Sequence, residues 1–241
     1  MSMVRRPRWS NALAFKRCSV TYPICDRQWI AVALATLVMV LFSACTGAAS
    51  PTPGVEPAVT EPAAGPASEV IVYAADLTDK TLSELDFIDD PASPGGRLIG
   101  LPNTGDELDP PPESDPHATF SVQVRSGVPY RCWIHMRVGE PKGRSTANIA
   151  YVQFSKSVDE ANQEVFRLST NSYLTAQGPT QPGWSWVACD AEDAEALVYF
   201  ESGGESRVRI QAGAEGVGFD QFLLSPAKFV DSPPREPIVG K

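Results

Sequence analysis

Between residues 69 and 230 one signal repeats. Apolar and polar residues alternate in short runs, and clusters of Gly, Pro, Ser or Asp separate the runs. Successive side chains of a β-strand point to opposite faces, so a period of two marks a strand with one buried face. Ala118, Phe120, Val122 and Val124 share such a face, with Thr119, Ser121 and Gln123 opposite. Tyr130, Cys132, Ile134, Met136 and Val138 form another, opposite Arg131, Trp133, His135 and Arg137. Further strands are expected at Tyr151-Val-Gln-Phe154, Val165-Phe-Arg-Leu168, Trp184-Ser-Trp-Val187, Ala196-Leu-Val-Tyr-Phe200, Arg207-Val-Arg-Ile210 and Phe219-Asp-Gln-Phe-Leu-Leu224. No stretch offers a long helical stripe, and 156–163 reads as a loop or one helical turn. About nine short strands in roughly 160 residues predict an all-β fold, a single antiparallel jelly-roll β-sandwich. A domain of that length buries about 70% of the surface its unfolded chain exposes, enough to stand alone.

The N-terminus reads as an address. Residues 1–45 carry Arg5, Arg6, Arg8, Lys16, Arg17 and Arg27 against Asp26, and no charge falls between Gln28 and Val55. A basic segment, then the apolar run Trp29 to Ala44, then small residues is the secretory pattern. The run ends Leu41-Phe42-Ser43-Ala44-Cys45 and resembles the lipobox of bacterial lipoproteins, in which Cys45 would be lipidated and become the new N-terminus. Phe42 departs from that pattern, where Leu is usual. The rival is an uncleaved anchor helix, since about 20 apolar residues span a bilayer. The small residues before Cys45 favour the lipoprotein. Either way the basic end stays inside and the rest faces outward, in the cell envelope. Residues 46–68 hold five prolines and almost nothing bulky, and are expected to be a disordered Pro/Ala-rich linker. Residues 231–241, with Pro233, Pro234 and Pro237, read as a flexible tail.

Charge and residue supply exclude some functions. The chain has 20 Lys+Arg and 29 Asp+Glu, for a net charge of −9. An acidic body of this kind is a poor nucleic-acid binder, which needs clustered cations. Only His117 and His135 are available, so a His-rich metal site is excluded and acid–base chemistry at neutral pH has few carriers. No Gly-x-Ser-x-Gly elbow, His-Glu-x-x-His or Cys–His motif occurs, and an enzyme is not expected. Asp106, Glu107, Asp109, Glu113 and Asp115 lack a calcium-loop spacing and read as a solvated acidic loop. Cys132 and Cys189 are the pair left in the outward domain. In an oxidising compartment they either form a disulfide or remain two buried small hydrophobes.

Several strings follow one another in a recognisable order: Val128-Pro-Tyr-Arg-Cys-Trp-Ile-His135, Tyr151-Val-Gln-Phe-Ser155, Gly183-Trp-Ser-Trp186, Ala196-Leu-Val-Tyr-Phe200, Arg207-Val-Arg-Ile-Gln211 and Glu215-Gly-Val-Gly-Phe-Asp-Gln-Phe-Leu-Leu-Ser225. This order resembles the galactose-binding-like jelly-roll domains used as carbohydrate-binding modules in bacterial secreted proteins, over about residues 70–230. The resemblance implies a non-catalytic fold, often with a structural calcium ion. It departs at Asn148-Ile149, where the relatives place an Asp after the Asn, and any ligand or ion role of that Asp does not carry over.

On the residues themselves, Trp133, Trp184 and Trp186 with Arg131 are the expected ligand-binding set. An indole face stacks on the C–H face of a sugar, while polar neighbours hold its hydroxyls. Core packing is the competing role for each Trp. Asp76 and Asp220, from the first and last strands, are the expected calcium ligands, since calcium takes oxygen donors; capping a turn is the competing role for Asp220. The expected function is a membrane-tethered extracytoplasmic lipoprotein that binds carbohydrate. A structural or partner-docking domain in an envelope assembly is the alternative, favoured by Asn148-Ile149.

Overall fold

Strands β5 (His117–Val124) and β6 (Tyr130–Val138) contain the alternation read from the sequence, but its outcome differs between them. In β5 only Ala118, Phe120, Val122 and Val124 are buried, whereas in β6 every residue but Arg137 is. The difference follows from what lies on each side of the two sheets. The computed structural model describes residues 67–112, 115–192 and 194–239. The signal or anchor segment 1–45 with Cys45, and the linker up to residue 66, lie outside the described residues. Among the described residues no helix is long and apolar enough to cross a membrane.

The remaining strands are β1 (Val70–Tyr73), β2 (Leu82–Ser83), β3 (Asp86–Asp89), β4 (Arg97–Gly100), β7 (Ile149–Phe154), β8 (Ser157–Val158), β9 (Leu174–Gln177), β10 (Gly183–Asp190), β11 (Leu197–Phe200), β12 (Gly204–Ala212) and β13 (Gly218–Ser225). All pairings between these strands are antiparallel, and apart from β8, which pairs only with β11, they fall into two sheets. One runs β3-β4-β13-β6-β10, with β1 beside β13 and β11 beside the start of β6. The other runs β2-β5-β12-β7-β9. β10 joins them: Gly183 to Ala188 pair with β6, and Cys189 and Asp190 pair with β9.

Aromatic rings fill the space between the sheets. Phe120 of β5 meets Phe222 of β13 edge-on at 5.4 Å, and Phe154 of β7 meets Phe200 of β11 at 5.7 Å. Edge-on pairs of this kind add to the area they bury. Around them pack Ile134, Met136, Val152, Val208, Ile210 and Leu224, all free of water contact. The all-β sandwich expected from the alternation is thus observed.

Three local expectations are corrected. Val165–Leu168 is not a strand. Phe166 sits at φ 51° and Ser169 at φ 61°, left-handed values that break an extended run. Segment 156–163 contains the short strand β8 followed by a turn, and no helix. The tail is not loose. After β13 the chain continues as a strap, 226–239, hydrogen-bonded to the outer face of the first sheet. Phe229 O accepts from Trp133 Nε1 at 2.7 Å, and Glu236 O from Trp186 Nε1 at 3.2 Å. Ile238 donates its N–H to Gln221 Oε1 at 3.0 Å and accepts from Gln221 Nε2. Prolines lack N–H donors, so a Pro-rich segment has carbonyls to satisfy, and indoles can only donate.

Cys132 and Cys189 are both buried and both free thiols. The fold brings them together, one hydrogen-bonded to the other. Burial, then that hydrogen bond, pushes the Cys132 thiol well above its usual range, leaving it inert as a nucleophile.

Candidate functional site

Register assembles the site. Trp184 lies opposite Arg137 and Trp186 opposite His135. Alternation therefore places Trp184, Trp186, Trp133, His135 and Arg137 on the face of the first sheet that points away from the core. The imidazole of His135 lies flat against Trp184, with centroids 4.8 Å apart and planes 9° apart, and is tilted against Trp186 at 5.1 Å and 45°. The ring is clasped by two indoles.

A β-bulge fixes it from below. β13 steps from Phe219, opposite Met136, to Gln221, opposite His135, so Asp220 is an extra residue. Bulges re-aim the side chains they carry. Here the Asp220 carboxylate, wholly buried, reaches His135 Nδ1 at 2.7 Å. A ring that donates from Nδ1 keeps Nε2 as its second polar atom. Among the described residues no hydroxyl or thiol is hydrogen-bonded to His135, so no activated nucleophile accompanies it.

Between this cluster and the strap lies a cavity of about 400 Å³, lined by Ala92, His135, Trp184, Ser185, Trp186 and residues 233–237. Beside it Arg137 is held to Asp90 Oδ2 at 3.0 Å. Both lining indoles are half-buried, which leaves ring surface facing the space. Flat apolar walls with a few oriented polar groups suit a hydroxylated ring, whose C–H face stacks while its hydroxyls bond to the rim.

Two expected ligand residues lie elsewhere. Trp133 is 6% exposed, sealed beneath the strap by its bond to Phe229. Arg131 is 5% exposed, paired with Asp190 at 2.6 Å, donating to Ala196 O at 2.9 Å and lying 5.2 Å from the Trp133 ring. Both side chains are committed to holding the fold. Of the expected set, only Trp184 and Trp186 reach the cavity.

The two expected calcium ligands differ in setting. Asp76 is exposed on a 3-10 turn, Ala74–Asp76, whereas Asp220 is buried against His135. The hollow beside Asp220 is walled by Val72, Ala74, Leu77, Phe120, Phe219 and Phe222 with Gln221. Calcium takes about six to eight oxygens, and among the described residues no three carboxylate, His or Cys side chains are grouped to hold an ion.

His135, Asp90, Ala92 and the strap were not assigned to the site from the sequence. His135 could have been, because it shares a strand face with Trp133. The break in period at Phe219-Asp220-Gln221-Phe222, which puts two core phenylalanines three apart, was a legible sign of the bulge.

No protein-family model matches the sequence, and no curated protein matches it. Among solved structures, the chain is similar to the Podospora anserina GH26-CBM35 β-(1,4)-mannanase, with 14% identity, a TM-score of 0.41, and coverage of 69% of this chain and 29% of that one. It is similar to the C-terminal CBM6 of LamC, a laminarinase from Zobellia galactanivorans, with 11% identity, a TM-score of 0.39, and coverage of 66% and 99%. It is also similar to a family 35 carbohydrate-binding module from Clostridium thermocellum, with 11% identity, a TM-score of 0.32, and coverage of 64% and 97%. The chain spans under a third of the mannanase. Similarity at this level assigns neither ligand nor activity, and the sandwich rests on its own strand pairing.

Proposed function

We propose that this protein is a tethered extracytoplasmic lipoprotein whose sandwich binds carbohydrate without transforming it. The observation that carries the reading is the cavity in which Trp184 and Trp186 flank His135. Its volume falls in the range of small-ligand sites, about 300–1,000 Å³. The rings offer stacking area, and the strap carbonyls and the Arg137–Asp90 pair offer polar contacts at the rim. The fixed His135–Asp220 pair orients the floor. On a glycan array the full-length protein should bind at least one oligosaccharide, and Trp184→Ala should weaken that binding tenfold or more. Binding to no glycan, or undiminished binding by the variant, would refute the reading.

The tether rests on the sequence, with Cys45 as the lipid site. Labelled palmitate should enter the wild-type chain and not Cys45→Ala; label retained in the variant would point to an uncleaved helix instead. A second reading, a partner-docking domain of the envelope, is favoured by one observation. The indole N–H groups of Trp133 and Trp186 are spent on the strap, so this face already serves as a peptide-docking surface.

A further inference from the structure

β10 changes sheets along its length, and two sulfur atoms sit at the seam. Gly183 to Ala188 pair with β6, whereas Cys189 and Asp190 pair with β9 of the other sheet. The last rung on β6 joins Ala188 to Trp133. Beyond it β11 takes over that edge, with Leu197 opposite Arg131. Cys132 is the β6 residue between the end of one neighbour and the start of the next.

Carrying the register one step past Ala188 sets Cys189 across from Cys132. Residues opposed on antiparallel strands have Cα atoms about 4.5–5.5 Å apart, and a disulfide spans about 4.4–6.8 Å. Both side chains lie in the core between the sheets with no exposure, and the thiols are hydrogen-bonded to each other. Joining them therefore asks for rotation of two side chains and not for movement of the strands.

We propose that Cys132 and Cys189 are a disulfide site, oxidised while the exported chain folds, and that the bond staples β10 to β6 where β10 crosses to the second sheet. The co-reactant is an oxidant in its disulfide form. One cysteine, as thiolate, attacks an oxidant sulfur, forming a mixed disulfide and expelling the other oxidant sulfur as thiolate. The second cysteine thiolate then attacks the sulfur of the first, and the remaining oxidant sulfur leaves. Two thiols are oxidised, one disulfide is reduced, and both protons end on the oxidant's thiols.

Burial imposes an order on these steps. The thiolate is the attacking form, and inside the finished sandwich burial holds the Cys132 thiol well above its usual range, with no surface open to an oxidant. Exchange has to occur before β10 closes on β6, and afterwards the bond is sealed from reductant as well. A cross-link from 132 to 189 stabilises chiefly by constraining the unfolded chain. The inference takes from the proposed function only the oxidising compartment, which the experiment replaces with oxidised glutathione, so either can fail without the other.

The full-length chain in a zwitterionic detergent is reduced in urea and refolded with oxidised and reduced glutathione. Free thiols are then blocked with N-ethylmaleimide in urea, and tryptic fragments are weighed by mass spectrometry. Fragment 132–137 should be recovered joined to fragment 168–207, with neither cysteine blocked. A sample refolded without oxidant should carry the block on both and unfold at a lower urea midpoint. Dithiothreitol should open the bond at least tenfold more slowly in the native protein than in urea. The inference is overturned if both cysteines are blocked after refolding with oxidant, or if either is joined instead to glutathione, Cys18, Cys25 or Cys45. It is equally overturned if the joined form unfolds at no higher urea than the reduced one, or is reduced as fast when native.

Discussion

A carboxylate taken out of water is costly unless it finds a partner, and a bulge residue has no cross-strand neighbour to supply one. Asp220 solves this on His135, which is in turn held between Trp184 and Trp186. One residue thus sets the position of three rings. Glu215 plays a comparable part near the surface. Its Oε2 accepts from the N–H groups of Thr104, Gly105 and Asp106 at 2.9, 2.8 and 3.1 Å, and from the Thr104 hydroxyl. The Thr104 hydroxyl first, then the Asp106 amide, hold its carboxyl below the usual carboxylate range. A carboxyl with a lowered folded pKa stabilises the fold above its unfolded value, near 4.5, and loses that contribution as pH falls through the folded one. Thermal melts from pH 7 to pH 3 should therefore show Glu215→Gln losing more stability at pH 7 than at pH 3. The difference will be small because the group is largely in water. Parallel wild-type and variant profiles would contradict this.

At the scale of elements, the strap explains why β6 and β13 are buried on both faces. β13 is buried along its whole length, and Gln221 within it has no exposure. Its amide exchanges two hydrogen bonds with Ile238, as a strand neighbour would. Removing residues 232–241 should leave that amide unpaired and cost about 1–3 kcal/mol. It should also free the Trp186 N–H and open its ring to water, so tryptophan emission should move to the red. Urea unfolding followed by fluorescence measures both; unchanged midpoint and emission would mean the strap contributes nothing.

For the whole molecule, the sandwich was legible because period-two patterning directly records which face is buried. The inward sets of β5 and β6 read correctly. Alternation does not record what covers the other face, and so Trp133 and Arg131 were expected in the open yet lie under the strap and against Asp190. Composition misled at the tail: prolines there signal few donors, and the carbonyls they leave are captured by side chains distant in sequence. Strands β1 to β4 are short and most of their residues are only half-buried, which blunts the period, so the first strand is expected around Asp76 yet ends at Tyr73. Val165–Leu168 looked like a strand because its residue types fit one. Its backbone is instead dictated by Gln153, which a local window cannot see.

Because β13 has core on one side, strap on the other and neighbours along both edges, it has no free surface on which a new contact could arise. Substitutions that add a contact are confined instead to places such as the exposed start of β10 at Gly183 and the exposed Glu192 beyond its end, where side chains can change without unseating the sheet.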